Sequence, residues 1–275
     1  MGEYRLEAAS LTVAEIAQTS ALLRLVFPHA RHLTPAYLDW AYVRNPQGRV
    51  VASNAYHGDA LVGHLAAIPL RAAVEGGAAA GMILQNSAIH PEHRGRRLQS
   101  LLSEAMFEEG LGRSYSFAVA VGNRYSTGPL LTRFKMLKPL EARLGAGPLR
   151  RRAAAPAASF EGLWDERTLA WRLGDPERRY SVRDGQVLAS TGVPGIAAIL
   201  HEHVALGDAG PRPSGPLRLY LGLDPALDLG RSAYLPIPMR LRRSPLNFVW
   251  RDLHQRNYLP DAQRVLFRAL DFDAY

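Results

Sequence analysis

The segment Met82–Leu102, MILQNSAIHPEHRGRRLQSLL, gathers the side chains most suited to chemistry. An apolar strand pattern runs into a tight turn, Pro91–Gly95. A helical pattern follows, with Leu98, Leu101, Leu102, Ala105 and Met106 on one face. Such a turn leaves backbone N–H groups unpaired at the positive end of a helix dipole, a site for an anion such as a pyrophosphate. Arg94, Arg96 and Arg97 add donors and charge, and Ser100 adds a hydroxyl in the first helical turn. The same residues also suit a solvated basic loop that caps a helix. His90, at the strand end, is the first candidate for a base because histidine titrates near neutrality, with His32, His29 and Glu92 behind it. A histidine beside a proline turn serves equally as a cap. Asn86 and Ser87, on the same strand, can orient an amine or a water, or be satisfied by strand neighbours.

Other constellations are weaker. The chain has no cysteine, which excludes disulfides, thiolate metal sites and a cysteine nucleophile. His201 and His203 share one face of an alternating strand but lack a third ligand, and so do Asp271 and Asp273, so no metal is expected. Trp40 and Trp171 are read as core rather than as sugar platforms. Arg240, Arg242 and Arg243 are read as a solvated charged face rather than a diphosphate clamp.

The elements that must hold these residues follow from pattern. Tyr4–Ala9 reads as a strand and Leu11–Phe27 as a helix, and Thr34-Pro35 caps a short helix through Trp40. Strands are expected over Val50–Tyr56, Ala60–Val74 and Met82–His90, punctuated by His57-Gly58-Asp59 and Glu75-Gly76-Gly77. A helix over Arg97–Glu109, a buried strand over Tyr115–Val121 and a helix over Tyr125–Phe134 complete the first half. GAGPLRRRAAAPAA, residues 145–158, reads as a linker between a domain over 1–144 and a lobe over 159–275. LDWAYVRNPQGRVVASNAYHGDAL near Trp40 is echoed by LAWRLGDPERRYSVRDGQVLAS near Trp171, which points to an internal duplication. The second copy lacks the arginine-rich loop, so its expected role is to shape the acceptor site.

Length and composition set the frame. At 275 residues, with 47% apolar and 21% charged, the chain suits one large or two medium soluble domains. Its net charge is +8, and Lys135 and Lys138 are its only lysines, so the surplus is arginine, whose planar fork suits phosphate. No helix-turn-helix or zinc-finger spacing and no aromatic-interleaved basic stripe appears, so DNA is not an expected partner. No apolar run reaches the roughly 18 residues of a membrane span. MGEYRLEAAS lacks the pattern of a signal peptide, and cytoplasmic residence is expected.

AIHPEHRGRRLQSLL resembles the acyl-CoA signature of the GNAT superfamily, and the order of elements over residues 4–144 is similar to that fold. The resemblance implies an α/β (α+β) class, a mixed central sheet flanked by helices, with a second, degenerate GNAT-like lobe. It implies an acyl-CoA-dependent N-acyltransferase with acetyl-CoA or another acyl-CoA as cosubstrate. Ile89 and His90 would offer backbone to pantetheine. Arg94, Gly95, Arg96, Arg97, Leu98, Gln99 and Ser100 would hold the pyrophosphate, and Asn123 would face the cofactor. Arg97 and Gln99 stand where the family carries glycines. The usual general-acid tyrosine aligns near Leu131, leaving Tyr125, Ser126 or Thr127 as substitutes.

With LDWAYVRNP, GNRYSTG and LDFDAY, the chain also resembles bacterial members linked to polysaccharide or nucleotide-sugar synthesis, which implies an amino-sugar acceptor, nucleotide-linked. An antibiotic, an amino acid or an aminoacyl-tRNA is the alternative acceptor, and a non-catalytic binding module the alternative role. Assembly is open, a homodimer included.

Overall fold

A computed structural model describes residues 4–202, 204–213 and 215–272. Its first half contains β1 (Tyr4–Ala8), α1 (Val13–Val26), α2 (Pro35–Tyr42), β2 (Val51–His57), β3 (Ala60–Val74), β4 (Gly77–Ile89), α3 (Leu98–Gly112), β5 (Phe117–Gly122) and α4 (Thr127–Leu131). Then follow β6 (Lys135–Pro139), β7 (Glu141–Ala146), β8 (Phe160–Gly162), α5 (Glu166–Leu173), β9 (Tyr180–Arg183), β10 (Gln186–Ser190), β11 (Ile196–His201), β12 (Leu217–Leu223), β13 (Tyr234–Pro236), β14 (Asn247–Asp252) and β15 (Val265–Arg268).

Local chemistry explains several boundaries. Thr12 and Thr34 cap α1 and α2 through their side-chain oxygens, and Pro35 sits at the first helical position, where its missing N–H is harmless. The β3 strand has the bounds its flanking turns predict. The β4 strand starts at Gly77 rather than Met82, because the small residues Gly77–Gly81 pair with Leu70–Val74. The α4 helix is shorter than Tyr125–Phe134, because the Asn123 side chain takes the amides of Tyr125 and Ser126 into a turn ahead of it.

Strand pairing runs twice through one scheme. The first pass is β2–β3 and β3–β4 antiparallel, β4–β5 parallel, then β5–β14 and β14–β6 antiparallel. The second is β9–β10 and β10–β11 antiparallel, β11–β12 parallel, then β12–β7 and β7–β13 antiparallel. The fifth strand of each array comes from the other half of the chain: β14 inserts beside β5, and β7 beside β12. The strands β8 and β15 join the arrays into one continuous sheet. The stretch 145–158 is tied at several points. Gly145 and Ala146 belong to β7, Arg151 bridges to Leu227, and the Arg152 amide bonds to Ala226.

The sequence echo is a structural repeat. Trp40 and Trp171 stack at 4.6 Å and 16°, and each indole N–H donates to the other's carbonyl, at 3.0 and 3.1 Å. Asp165 caps α5 as Thr34 caps α2. Asn45 and Asp175 each take an amide two residues on, of Gln47 and of Glu177. The second lobe is degenerate in one respect: among its described residues no α-helix links β11 to β12, where α3 links β4 to β5.

Cores lie on both faces of the first sheet. Leu98, Leu102, Met106 and Phe107 of α3 cover one face together with Val51, Ala55 and Leu65. The β14 strand alternates, sending Val249 to that core and Phe248 and Trp250 to the larger one, which also holds Tyr37, Leu38, Phe117 and Phe267. Burial on both faces makes β14 an interior strand, not an ornament on an edge.

Candidate active site

The parallel pairing of β4 with β5 stops early. Gly81, Met82 and Ile83 face Phe117, Ala118 and Val119, and beyond them the strands part. A cleft of about 520 Å³ opens there. One wall is Leu84–Ser87, the other Ala120 and Val121, and Gln99 and Ser103 of α3 close one side. Phe27, Tyr125 and Arg133 also border it.

Its β4 wall carries a bulge. Gly63 and His64 of β3 pair with Ile89 and Ala88, and Ala66 pairs with Gln85, so Leu65 alone faces both Asn86 and Ser87. Asn86 takes a left-handed φ of 47°. A bulge interrupts the ladder and re-aims backbone groups next to the opening.

The cleft ends against the N-terminus of α3. No acceptor among the described residues takes the amides of Gly95, Arg96, Arg97, Leu98 or Gln99. Gly95 has a φ of 75°, and a Cβ built on it would meet nothing within 4 Å, so the loop stands open to solvent. Arg94, Arg96, Arg97 and Gln99 are exposed, whereas Leu98 is buried beneath the helix. Arg94 Nε donates to the Ile89 carbonyl at 3.3 Å, and Arg96 donates to Tyr4 Oη at 2.8 Å. The Arg97 side chain makes no hydrogen bond or ion pair with a described residue, and the residue holds the left-handed conformation, φ 61°, that a glycine adopts freely. The Ser87 hydroxyl donates to Gln99 Oε1 at 2.9 Å, spanning from strand to helix. The Ser100 amide bonds back to Arg97.

The remaining candidates fall in different places. The Asn123 side chain is occupied in its own turn, and Tyr125 stands beside it, 81% exposed at the cleft mouth. His90 is outside the cleft lining. Its amide donates to Val62, its Nδ1 accepts the Glu92 N–H at 3.3 Å, and its ring packs on His93. The backbone acceptor that Ile89 offers is taken by Arg94. Asn86 borders the cleft, but its side-chain amide donates to Tyr42 Oη at 2.9 Å. No group of three or more His, Asp or Glu among the described residues is arranged to hold a metal. His203 and Asp273 lie outside those residues.

Tyr42, Asn54 and His64 behind the bulge, and Ser103 and Arg133 on its flanks, were not legible beforehand. Ser103 alone had a signal, one turn beyond Gln99 on the same helix face. Burial raises the Tyr42 hydroxyl and pushes His64 down to about 3, so both stay neutral.

The chain is similar to known proteins at two levels. Residues 7–134 match the family described as Acetyltransferase (GNAT) domain. Three solved structures share the fold. A conserved protein of unknown function from Enterococcus faecalis V583 superposes with a TM-score of 0.63 at 9% identity, over 91% of this chain and 73% of that one. Eis1 from Mycobacterium abscessus gives 0.56 at 10%, over 91% and 74%. A GCN5-related N-acetyltransferase from Anabaena variabilis gives 0.55 at 12%, over 90% and 73%. No curated protein matches by sequence. With a parted β4–β5 pair, a bulged β4 wall, an open helix N-terminus and the match over residues 7–134, the first half of this chain carries a GNAT acetyltransferase domain.

Proposed function

We propose that the chain moves an acetyl or related acyl group from acyl-CoA to the amine of an amino sugar, nucleotide-linked. The observation that carries the cofactor assignment is the meeting of the bulged cleft with the unpaired amides of Gly95–Gln99. The pyrophosphate docks on those amides, with Arg94 and Arg97 as flanking cations, and pantetheine enters between β4 and β5. The thioester carbonyl then lies beside Asn86 and Ser87. The amine nitrogen attacks that carbon, and bulge amides stabilise the oxyanion that forms. Collapse breaks the C–S bond, and the leaving thiolate takes a proton.

The ionisable side chains in the cleft lining are Tyr125 and Arg133. Tyr125 is therefore assigned as the proton donor to the thiolate, and water removes the proton from the amine in place of His90. Support for the acceptor is the net charge of +8 and the basic segment His29–His32 that follows Phe27 at the cleft. Such a surface favours a diphosphate-bearing substrate over a cationic antibiotic.

The test is thiol release from acetyl-CoA with UDP-linked amino sugars, free amino acids and aminoglycosides as acceptors. UDP-linked amino sugars should react fastest, and Tyr125→Phe should lower kcat by about 100-fold. Turnover of aminoglycosides alone would overturn the acceptor. Absence of CoA binding at millimolar concentration would overturn the site.

A further inference from the structure

Behind the bulge lies a line of polar side chains that acyl transfer does not by itself require. Asn86 Nδ2 donates to Tyr42 Oη at 2.9 Å, and Tyr42 Oη lies 3.0 Å from His64 Nε2. His64 Nδ1 lies 2.7 Å from Asn54 Oδ1, and Asn54 Nδ2 donates to Glu15 Oε1 at 2.8 Å. Tyr42, His64 and Asn54 are all at most 1% exposed. Glu15, in the first turn of α1, is itself held by the Ser10 amide at 3.0 Å.

The line has one direction. An amide oxygen only accepts, so His64 carries its proton on Nδ1 and leaves Nε2 bare. Tyr42 must then donate to Nε2, which frees its lone pairs for Asn86. Every donor points away from the cleft and toward the Glu15 carboxylate, and each bond polarises the next. Two of the members are amides, which neither gain nor lose protons, so the line cannot deliver a proton to the cleft. What it can do is hold Asn86. That residue is not glycine, yet it keeps φ at 47° at the one point where β4 bulges. A left-handed residue in a strand persists only where its surroundings over-determine it.

We infer that Tyr42 and His64, tied through Asn54 to Glu15, are positioning residues that lock the Asn86–Ser87 bulge, so that its backbone amides meet the acyl carbonyl. The inference rests on the assignment of the β4–β5 cleft to acyl-CoA. Tyr42 and His64 touch no substrate in this arrangement. They act through the conformation of Asn86.

The consequence can be read without knowing the acceptor. Bulge amides that face the carbonyl bind acetyl-CoA in preference to CoA, while the pyrophosphate loop binds both alike. Calorimetric titration of the wild type should give acetyl-CoA about threefold to tenfold tighter than CoA, the net worth of one hydrogen bond. Tyr42→Phe removes the acceptor of the Asn86 tether, and Asn86→Gly removes the tether while tolerating the backbone conformation. Each should bring that ratio to about one with CoA affinity within about twofold of wild type, and the double variant should do no more than either. A general loss of stability would lower both affinities together. If both single variants fold and keep the wild-type ratio, the positioning role is wrong although the cleft assignment stands. If wild type binds neither ligand, the cleft assignment fails and this inference with it.

Discussion

Arg97 puts the anion site to its sharpest test, because one residue carries two separable properties. It adopts φ 61° and ψ 10° directly before α3, and its exposed side chain is unpaired among the described residues. A left-handed backbone costs a residue with a Cβ about 1–2 kcal/mol, partly offset in glycine by its larger loss of freedom on folding. Arg97→Gly should therefore be about 1 kcal/mol more stable than Arg97→Ala, a difference of about 2 °C in Tm for a chain of this size. Both substitutions remove the same guanidinium. A charge-assisted hydrogen bond is worth about 1.5–3 kcal/mol, and solvent screening at an exposed site reduces that to about 1 kcal/mol. Both variants should thus weaken CoA binding about fivefold, and by similar amounts. Thermal unfolding and calorimetric titration of the three proteins read the two effects separately. Equal stability of the two variants would refute the backbone argument. Unchanged CoA affinity in both would show that the guanidinium plays no part and that the amides act alone.

Other perturbations have definite signs. Burial holds His64 neutral down to about pH 3, whereas unfolded histidine protonates near 6.5. Between those values the unfolded state binds the extra proton, so stability should fall as pH falls, by about 1.4 kcal/mol per unit at most. Denaturant titrations at pH 7, 6 and 5 should show His64→Gln with a shallower slope than wild type, and identical slopes would contradict the buried neutral ring. Trp171→Ala removes a stacked indole and the hydrogen bond it donates to the Trp40 carbonyl, and should cost about 3 kcal/mol in chemical denaturation. A loss under about 1 kcal/mol would mean that the tryptophan pair is not a structural joint between the halves.

The parts of the fold visible in the sequence were those governed by neighbours along the chain. The α1 helix followed from apolar spacing, α2 from its Thr34-Pro35 cap, β3 from its flanking turns, and the arginine-rich turn from the strand-to-helix change at Pro91. Contacts without a spacing rule stayed hidden. Asn247–Asp252 is an apolar run like many others, and nothing near it indicates that its partner is β5, about 130 residues earlier in the chain. Tyr42, Asn54, His64 and Asn86 come from a helix and three strands, and only the folded sheet turns them into one line. His90 stood out because histidine is versatile. Its ring instead serves the Glu92 amide, a local hydrogen bond that titration chemistry does not foresee.

The exchange of β7 and β14 fixes when folding can finish. While the ribosome makes the first half, β5 has an open flank, and its partner emerges only after residue 247. The nascent chain must therefore carry an unsatisfied, apolar strand border through nearly half of its synthesis, which invites association with other chains. Completion then depends on contacts of very long sequence separation, which are slow to form. Expression at low temperature or with a holdase chaperone should raise the yield of native protein for this reason, with no change to the finished enzyme.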